Sequence, residues 1–475
     1  MNELYYNIVI PAKETQPIEQ GIENLKAALR DYEKTYTSPN RHNQNNLVTF
    51  SQVIHPVDLS EWLYHQTIYP KVFWMNREKD FSLAGIGIAD SITFEGKSNN
   101  DEMFLQFRLA IADKYPHTRY FGGFRFNNSE TQETIWQGFP SFSFVLPLVQ
   151  LTFEKNIFTL SCNIWFENRD ELITKMRATS KLLDELVTST DCSALKLPEL
   201  LNISYNPDEK IWTEQCIKAL ETFDDGSMEK IMLARQTMLE FSSTLSPLLF
   251  LLRYPYPENT IYRFYFEPAE NHAFFSFSPE RLYRRDANML LTEALAGTCS
   301  KTIFTVDDHH ASEALLNSEK DIREHKFVKD MIYHDLNAIC SEIDMEEEVC
   351  VLQLNSLAHL YTRCTATLKP ESMNDGEVLK HLHPTPAVGG VPKVPAVKHI
   401  MDLEPFSRGW YAAPVGWVSS DAAEFSVAIR SALVHGRFAY LYSGAGLVKG
   451  SEPISEWEEV EQKIGDLLTI TRQKA

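Results

Sequence analysis

The chain has 475 residues, 44% hydrophobic and 12% aromatic, a composition that buries a large core and excludes a disordered protein. A formal net charge of -20 argues against nucleic acid and against an anionic membrane surface as partners. No basic start followed by an apolar core and a cleavage site opens the chain, and no apolar run is long enough to span a bilayer. Its seven cysteines are scattered without a C-x-x-C pair, so a cytoplasmic protein with reduced, mostly buried thiols and no structural zinc is expected.

In chain order, the first two hundred residues alternate short apolar runs with polar loops such as SPNRHNQNN. The aromatic block YFGGFRFNNSETQETIWQGFPSFSFVLPLVQLTFE predicts strands joined by loops, with Gly122 and Gly123 marking close backbone approach in a sheet. Residues 168–188 carry a helical pattern, and the loop STDCSALKLPELLNISYNPDEK divides an N-terminal portion, 1–205, from a region 206–475. DEKIWTEQCIKALETFDDG then predicts an amphipathic helix. From about residue 228 strand patterns dominate, in EKIMLARQTML, TIYRFYFEPAENHAFFSFSPERLYRR, MLLTEALAGT and VCVLQLNSLAHLYTRCTATL, interrupted by a long helix at 312–342. No fixed-period repeat occurs, and the alternation predicts an α+β protein with two large antiparallel sheets and helices outside.

Two acidic pairs stand out. The helix at 312–342 has Phe327, Val328, Met331, Ile332, Leu336 and Ile339 as its apolar stripe, and that face extended backwards reaches Glu324 and Asp321. Near the C-terminus, Ser455 and Glu458 form a capping box with Pro453 just outside, and Trp457, Val460, Ile464 and Leu467 supply the stripe. Glu456 and Glu459 share one side of that helix, while Glu458 and Glu461 suit its solvated face. Each pair is either a wet helix edge or a set of hard oxygen donors of the kind Mg²⁺ prefers.

Other residues carry equally open alternatives. Lys230, at the start of an apolar strand, either snorkels or, if desolvated, becomes a general base. Glu293, among apolar neighbours in LLTEALAGT, is a protonated general acid or a strand-end carboxylate facing water. The glycines at 297, 389, 390, 444 and 446 can present N–H groups to an anion, but no Walker or dinucleotide fingerprint accompanies them, so ATP and NAD are not expected. Arg430 and Tyr411 can fork onto a carboxylate or serve structure alone.

In order and spacing, EKIMLAR, SPERL, LTEALAGT, REHKFV, HPTPAVGG, EPFSRGWYAAPVGW, EFSVAIRSAL, YSGAGLVKGS and EWEEVEQK, over about residues 209–468, resemble the chorismate-utilising enzymes. GGFRF, Trp136 and LPLVQL are similar to the menaquinone-type isochorismate synthases of that family. The resemblance implies an anthranilate-synthase-like fold and Mg²⁺ over the ring carboxylate of chorismate, held by Glu324 and Glu459 with Asp321 and Glu456 in support. It also implies Lys230 as base and Glu293 as acid, substrate-carboxylate contacts from Tyr411, Arg430, Gly444, Gly446 and Lys449, and His359, Gly297 and Thr298 close to the ring. Ala387 stands where members that transfer ammonia or form salicylate typically carry threonine.

The implied activity is isochorismate synthase for menaquinone biosynthesis, on a small-molecule substrate, in a monomer or homodimer. Alternatives are isochorismate or salicylate formation for siderophores, and a non-catalytic homologue that binds an organic acid.

Overall fold

A computed structural model describes residues 4–10, 14–36, 46–130, 133–188, 191–192, 195–224, 226–254, 261–300, 313, 315–353 and 357–472. Two large sheets organise them. The first has thirteen strands among the described residues, and the second has ten. Their pairings are antiparallel except at one edge, where Leu4–Val9 runs parallel to Asn46–Ile54. Strands from both sides of residue 205 stand in both sheets: Lys71–Met75 pairs with Tyr262–Ala269 in the first, and Tyr120–Phe124 with Pro414–Val418 in the second.

The expected elements fall close to their patterns. The helix predicted at 168–188 spans Arg169–Asp184, started by Asn168, whose side chain accepts from the Glu171 N–H. The amphipathic helix spans Glu209–Asp224. Inside the expected boundary loop lies a further strand, Leu200–Asn206, which edges the first sheet beside Lys230–Phe241. Its alternation was hidden by surrounding turn residues. The polar stretch SPNRHNQNN lies mostly outside the described residues.

One apolar cluster draws Trp74 and Tyr442 from the first sheet, Phe124 and Phe144 from the second, and Trp410 from a turn, and so fills the space between the sheets. A second holds Leu25, Trp62, Met176, Ile464 and Leu467 against the outer face of the first sheet, where helices cover it. Six described cysteines are free, four of them buried. No helix among the described residues is long and apolar enough to cross a membrane.

The two acidic pairs stand on helices packed one against each sheet. Glu319–Ile339, on the second sheet, begins at Ser318, whose hydroxyl accepts from the Asp321 N–H. It buries Val328, Ile332, Leu336 and Ile339 as the stripe predicts, but leaves Phe327 exposed, with His325 buried in its stead. Pro453–Arg472, on the first, starts two residues ahead of the capping box, because proline fits a first helical turn where its missing N–H costs nothing.

In the second sheet, Gly122 is squeezed between strands: a β-carbon there would lie 1.8 Å from the Ser143 carbonyl oxygen. Backbone cannot yield cheaply at such a point. Gly122→Ala is expected to destabilise the fold by about 3 kcal/mol or more, read as a lower denaturant midpoint at unchanged slope.

Candidate active site

The strand Lys230–Phe241 lies antiparallel to Phe438–Val448, with Met232 opposite Gly446 and Ala234 opposite Gly444. Lys230 and Met232 alternate onto one face and look across a cavity. The opposite wall belongs to the second sheet, where Leu295, Ala296 and Gly297 meet His359. The helix Glu319–Ile339 contributes Asp321 and Glu324, and the helix Pro453–Arg472 contributes Glu456, Glu459 and Lys463. Tyr411, Arg430, Ala387 and Glu280 also line it.

Small residues make the approach possible. At Gly446 a β-carbon would sit 3.1 Å from Lys230 Cε, and at Gly444 it would sit 3.1 Å from the Tyr411 hydroxyl. Gly297, at φ +76°, takes a left-handed turn that lets Asp321 close to 3.0 Å of where its β-carbon would stand. Arg430 also adopts positive φ, 50°, a conformation non-glycine residues keep only when their surroundings impose it.

The charges are cross-compensated. Lys230, 5% exposed, donates from Nζ to Glu324 Oε1 at 2.7 Å. Lys463 binds Glu459 at 2.7 Å and donates to the Gly444 carbonyl at 3.0 Å. Arg430 lies 4.0 Å from Asp466. His359 shares a 3.2 Å hydrogen bond between Nδ1 and the Gly297 carbonyl; burial first, and the charges of Arg430 and Lys463 after it, push its pKa down to about 3. The ring is therefore neutral at pH 7.

Glu280 is the residue that sequence reasoning missed. It is 5% exposed, accepts from the Thr385 hydroxyl at 3.1 Å, and has its pKa pushed up to about 7, by burial above all. Such a carboxyl is poised to give a proton near neutrality. A signal was available: the apolar alternation of HAFFSFS breaks at Ser278-Pro279-Glu280, which marks an irregular strand end. Lys463 was legible too, four residues beyond Glu459.

Two expectations need correction. Glu293 lies outside the cavity lining, with a fully buried side chain gripped by Arg77 through two 2.6 Å bonds, and it accepts the Arg281 N–H at 3.0 Å. Paired in this way, it is neither a carboxyl among apolar groups nor a strand-end group facing water. Lys449 is 78% exposed, pairs with Asp224 at 3.1 Å, and borders a separate depression; the turn after the strand carries it past the cavity. Thr298 is placed by its backbone opposite His359, while its side chain lies outside the described residues. The other expected residues, Lys230, Gly297, His359, Ala387, Tyr411, Arg430, Gly444, Gly446 and the four acids Asp321, Glu324, Glu456 and Glu459, meet at the one cavity.

The acids fit a hard divalent cation by chemistry rather than by a ready-made cage. Among the described residues no three His, Cys, Asp or Glu side chains converge on one point. Mg²⁺ asks for less, since it keeps waters and takes one or two protein carboxylates together with an anionic substrate. Glu324 and Glu459, each held by a lysine ammonium, stand on the two helices that face this cavity.

Comparison with known proteins agrees with this geometry. Residues 29–472 match the family model described as chorismate binding enzyme. The chain is 30% identical to the isochorismate synthase MenF of Bacillus subtilis over 89% of its own length and 93% of that protein's. Among solved structures it is similar to MenF, the menaquinone-specific isochorismate synthase from Escherichia coli, with a TM-score of 0.83 and 28% identity over 96% of this chain and 100% of that one. Anthranilate synthase component I from Streptococcus pneumoniae shares the fold, with a TM-score of 0.64 at 20% identity over 83% of this chain and 92% of that one.

Glu280 also predicts a pH effect on stability. Its pKa is near 7 in the folded protein and near 4.5 unfolded, so its contribution is fully present below about pH 4.5 and is lost as pH rises through 7. Glu280→Gln removes that loss. Relative to the wild type, the variant's unfolding free energy should rise by about 3 kcal/mol between pH 4.5 and 8, measured by chemical denaturation at both ends.

Proposed function

The chain belongs to the chorismate-binding enzyme family, and from that premise we propose that it converts chorismate to isochorismate, Mg²⁺-dependently, for menaquinone biosynthesis. The observation that carries this reading is a buried lysine, Lys230, and a buried carboxyl, Glu280, lining one cavity with anion-binding groups on its walls. The similarity to the menaquinone-specific enzyme over nearly the whole chain supports the pathway.

Chorismate presents carboxylates and a ring that bears a hydroxyl at C4. Arg430, Lys463 and the hydroxyl of Tyr411 supply donors for a carboxylate, and the close strand backbone at Gly444 and Gly446 leaves room for it. Glu324 and Glu459, with Asp321 and Glu456 in support, would hold Mg²⁺, which would supply an anchor for the ring carboxylate and offset the clustered negative charge. Lys230, as the base, accepts a proton from a water whose oxygen bonds to C2. The ring electrons shift, the C4–O bond breaks, and Glu280 gives its proton to the departing hydroxyl, which leaves as water. One water enters and one leaves, so the product has the mass of the substrate. His359, neutral and held by Gly297, adds no charge beside the ring. Ala387 offers a methyl group where a threonine would place a hydroxyl, which favours water as the nucleophile.

Incubation of the protein with chorismate and Mg²⁺ and no ammonia, resolved by chromatography with mass detection, should give a new species of unchanged mass that EDTA abolishes. Salicylate with pyruvate would move the activity to the neighbouring branch, and unreacted chorismate would leave a binding protein. Lys230→Ala and Glu280→Gln should each lower kcat by at least about a hundredfold. Glu459→Gln should raise the Mg²⁺ concentration needed for half-maximal rate roughly tenfold or more; an unchanged titration would return Glu459 to the solvated helix face.

A further inference from the structure

Glu280 sits in a short link between the strands His272–Ser278 and Arg281–Asp286, a stretch that no regular ladder holds. Its backbone is nevertheless gripped on both sides. Before it, the Pro279 carbonyl accepts from Arg77 Nη1 at 3.0 Å. After it, the Arg281 N–H donates to Glu293 Oε1 at 3.0 Å. The two grips are joined, because Arg77 and Glu293 bind each other through two parallel bonds of 2.6 Å. Arg77 belongs to the turn after the strand Lys71–Met75, about two hundred residues away in sequence, and both partners are buried.

We propose that Arg77 and Glu293 are positioning residues, a paired clamp on the Pro279–Arg281 backbone that aims the Glu280 carboxyl at the substrate. The proposal rests on the reading of Glu280 as proton donor. Neither residue touches the cavity, so neither acts on substrate directly.

The clamp also sets the field around Glu280. The groups that face Glu280 are the Thr385 hydroxyl, Glu293 on the neighbouring strand, Lys230 on the strand of the first sheet, and Lys463 on the C-terminal helix. Of the charged ones, Glu293 favours the protonated carboxyl, and the two lysines favour the ionised one. Arg281 is shared among Glu78, Glu424 at 3.6 Å and Glu293 at 3.7 Å. Arg77 neutralises Glu293 at contact distance. Removing either member of the pair therefore changes the charge beside Glu280 in opposite senses.

That opposition gives the test. The pH profile of kcat is measured for wild type, Glu293→Gln, Arg77→Met and Arg77→Lys. The alkaline limb reports the donor, whose ionised form is inactive. Glu293→Gln takes away a negative charge, so the limb should move toward acid by about one pH unit. Arg77→Met takes away a positive charge, so the limb should move the other way by a similar amount. Arg77→Lys keeps the charge but loses the fork, so the limb should stay while kcat falls roughly 10- to 100-fold. KM for chorismate should hold in all three.

A merely structural role would lower the active fraction without moving the limb. Limbs that stay fixed in Glu293→Gln and Arg77→Met, or that move in the same direction, overturn the clamp. Glu293→Gln is isosteric and keeps an acceptor for the Arg281 N–H, so it carries the test alone if Arg77→Met does not fold. Glu280→Gln separates the two failures. If it retains near-normal turnover, the donor reading falls and the clamp with it; if it is inactive while the limbs stay fixed, only the clamp falls.

Discussion

Five carboxylates, Glu280, Asp321, Glu324, Glu456 and Glu459, face one cavity, and a cluster of that sign cannot leave water without compensation. Much of the local architecture answers this constraint. Lys230 comes from the first sheet to Glu324, and Lys463 reaches one helical turn back to Glu459. Glu280 is relieved differently, by keeping its proton. Base and cation site are thereby coupled, since the lysine proposed to accept a proton is bonded to a carboxylate proposed to hold the metal. The same compensation extends behind the cavity, where Arg235 is stacked on Trp457 at 4.0 Å and on Tyr205 at 4.7 Å while bound to Glu461. That contact ties the strand bearing Lys230 to the helix bearing Glu456, Glu459 and Lys463.

The N-terminal portion is built into the same wall. Glu133 accepts the Ser407 N–H at 2.7 Å, Glu130 accepts the Ser407 hydroxyl at 2.6 Å, and Trp136 donates to the Ser407 carbonyl at 3.2 Å. Gly409, at φ +53°, is pressed against the Trp136 ring, where a β-carbon would stand 2.1 Å away. Next to it, Arg408 is buried, pairs with Glu404, and donates to the carbonyls of Met232 and Val388 on two walls of the cavity. The position of Tyr411 is thus set from residues on both sides of 205. The N-terminal portion braces the segment that carries Tyr411 without lining the cavity itself.

Fold class was legible in the sequence from local rules, whereas the roles of the site residues came from the resemblance of its motifs. Helical spacing put Asp321 beside Glu324 and Glu456 beside Glu459, and Lys230 stood at the start of an apolar strand with a snorkelling and a desolvated reading both open. What it could not disclose depended on distance rather than pattern. The strand Leu200–Asn206 is visible only through its partner Lys230–Phe241. Phe327 has the spacing of a core residue yet is exposed and borders an outer depression. Lys449 follows a glycine-rich strand like an anion ligand, but the turn carries it to solvent.

Glu293 shows the same limit most sharply. Along Met289–Ser300 it has the parity of Leu295, which lines the cavity, so its side chain leaves the strand on the correct face. Two residues of extended chain are about 6–7 Å, however, and that displacement puts the carboxylate past the cavity's edge, between Arg77 and Arg281. Glu280 occupies the place that the resemblance gave to Glu293, because the link from Ser278 to Arg281 interrupts its ladder just where the two strands meet the cavity. Alternation fixes a face and leaves position along the strand open. The carboxyl whose backbone departs from the ladder reaches the substrate space, and the one that obeys the ladder is free to hold it there.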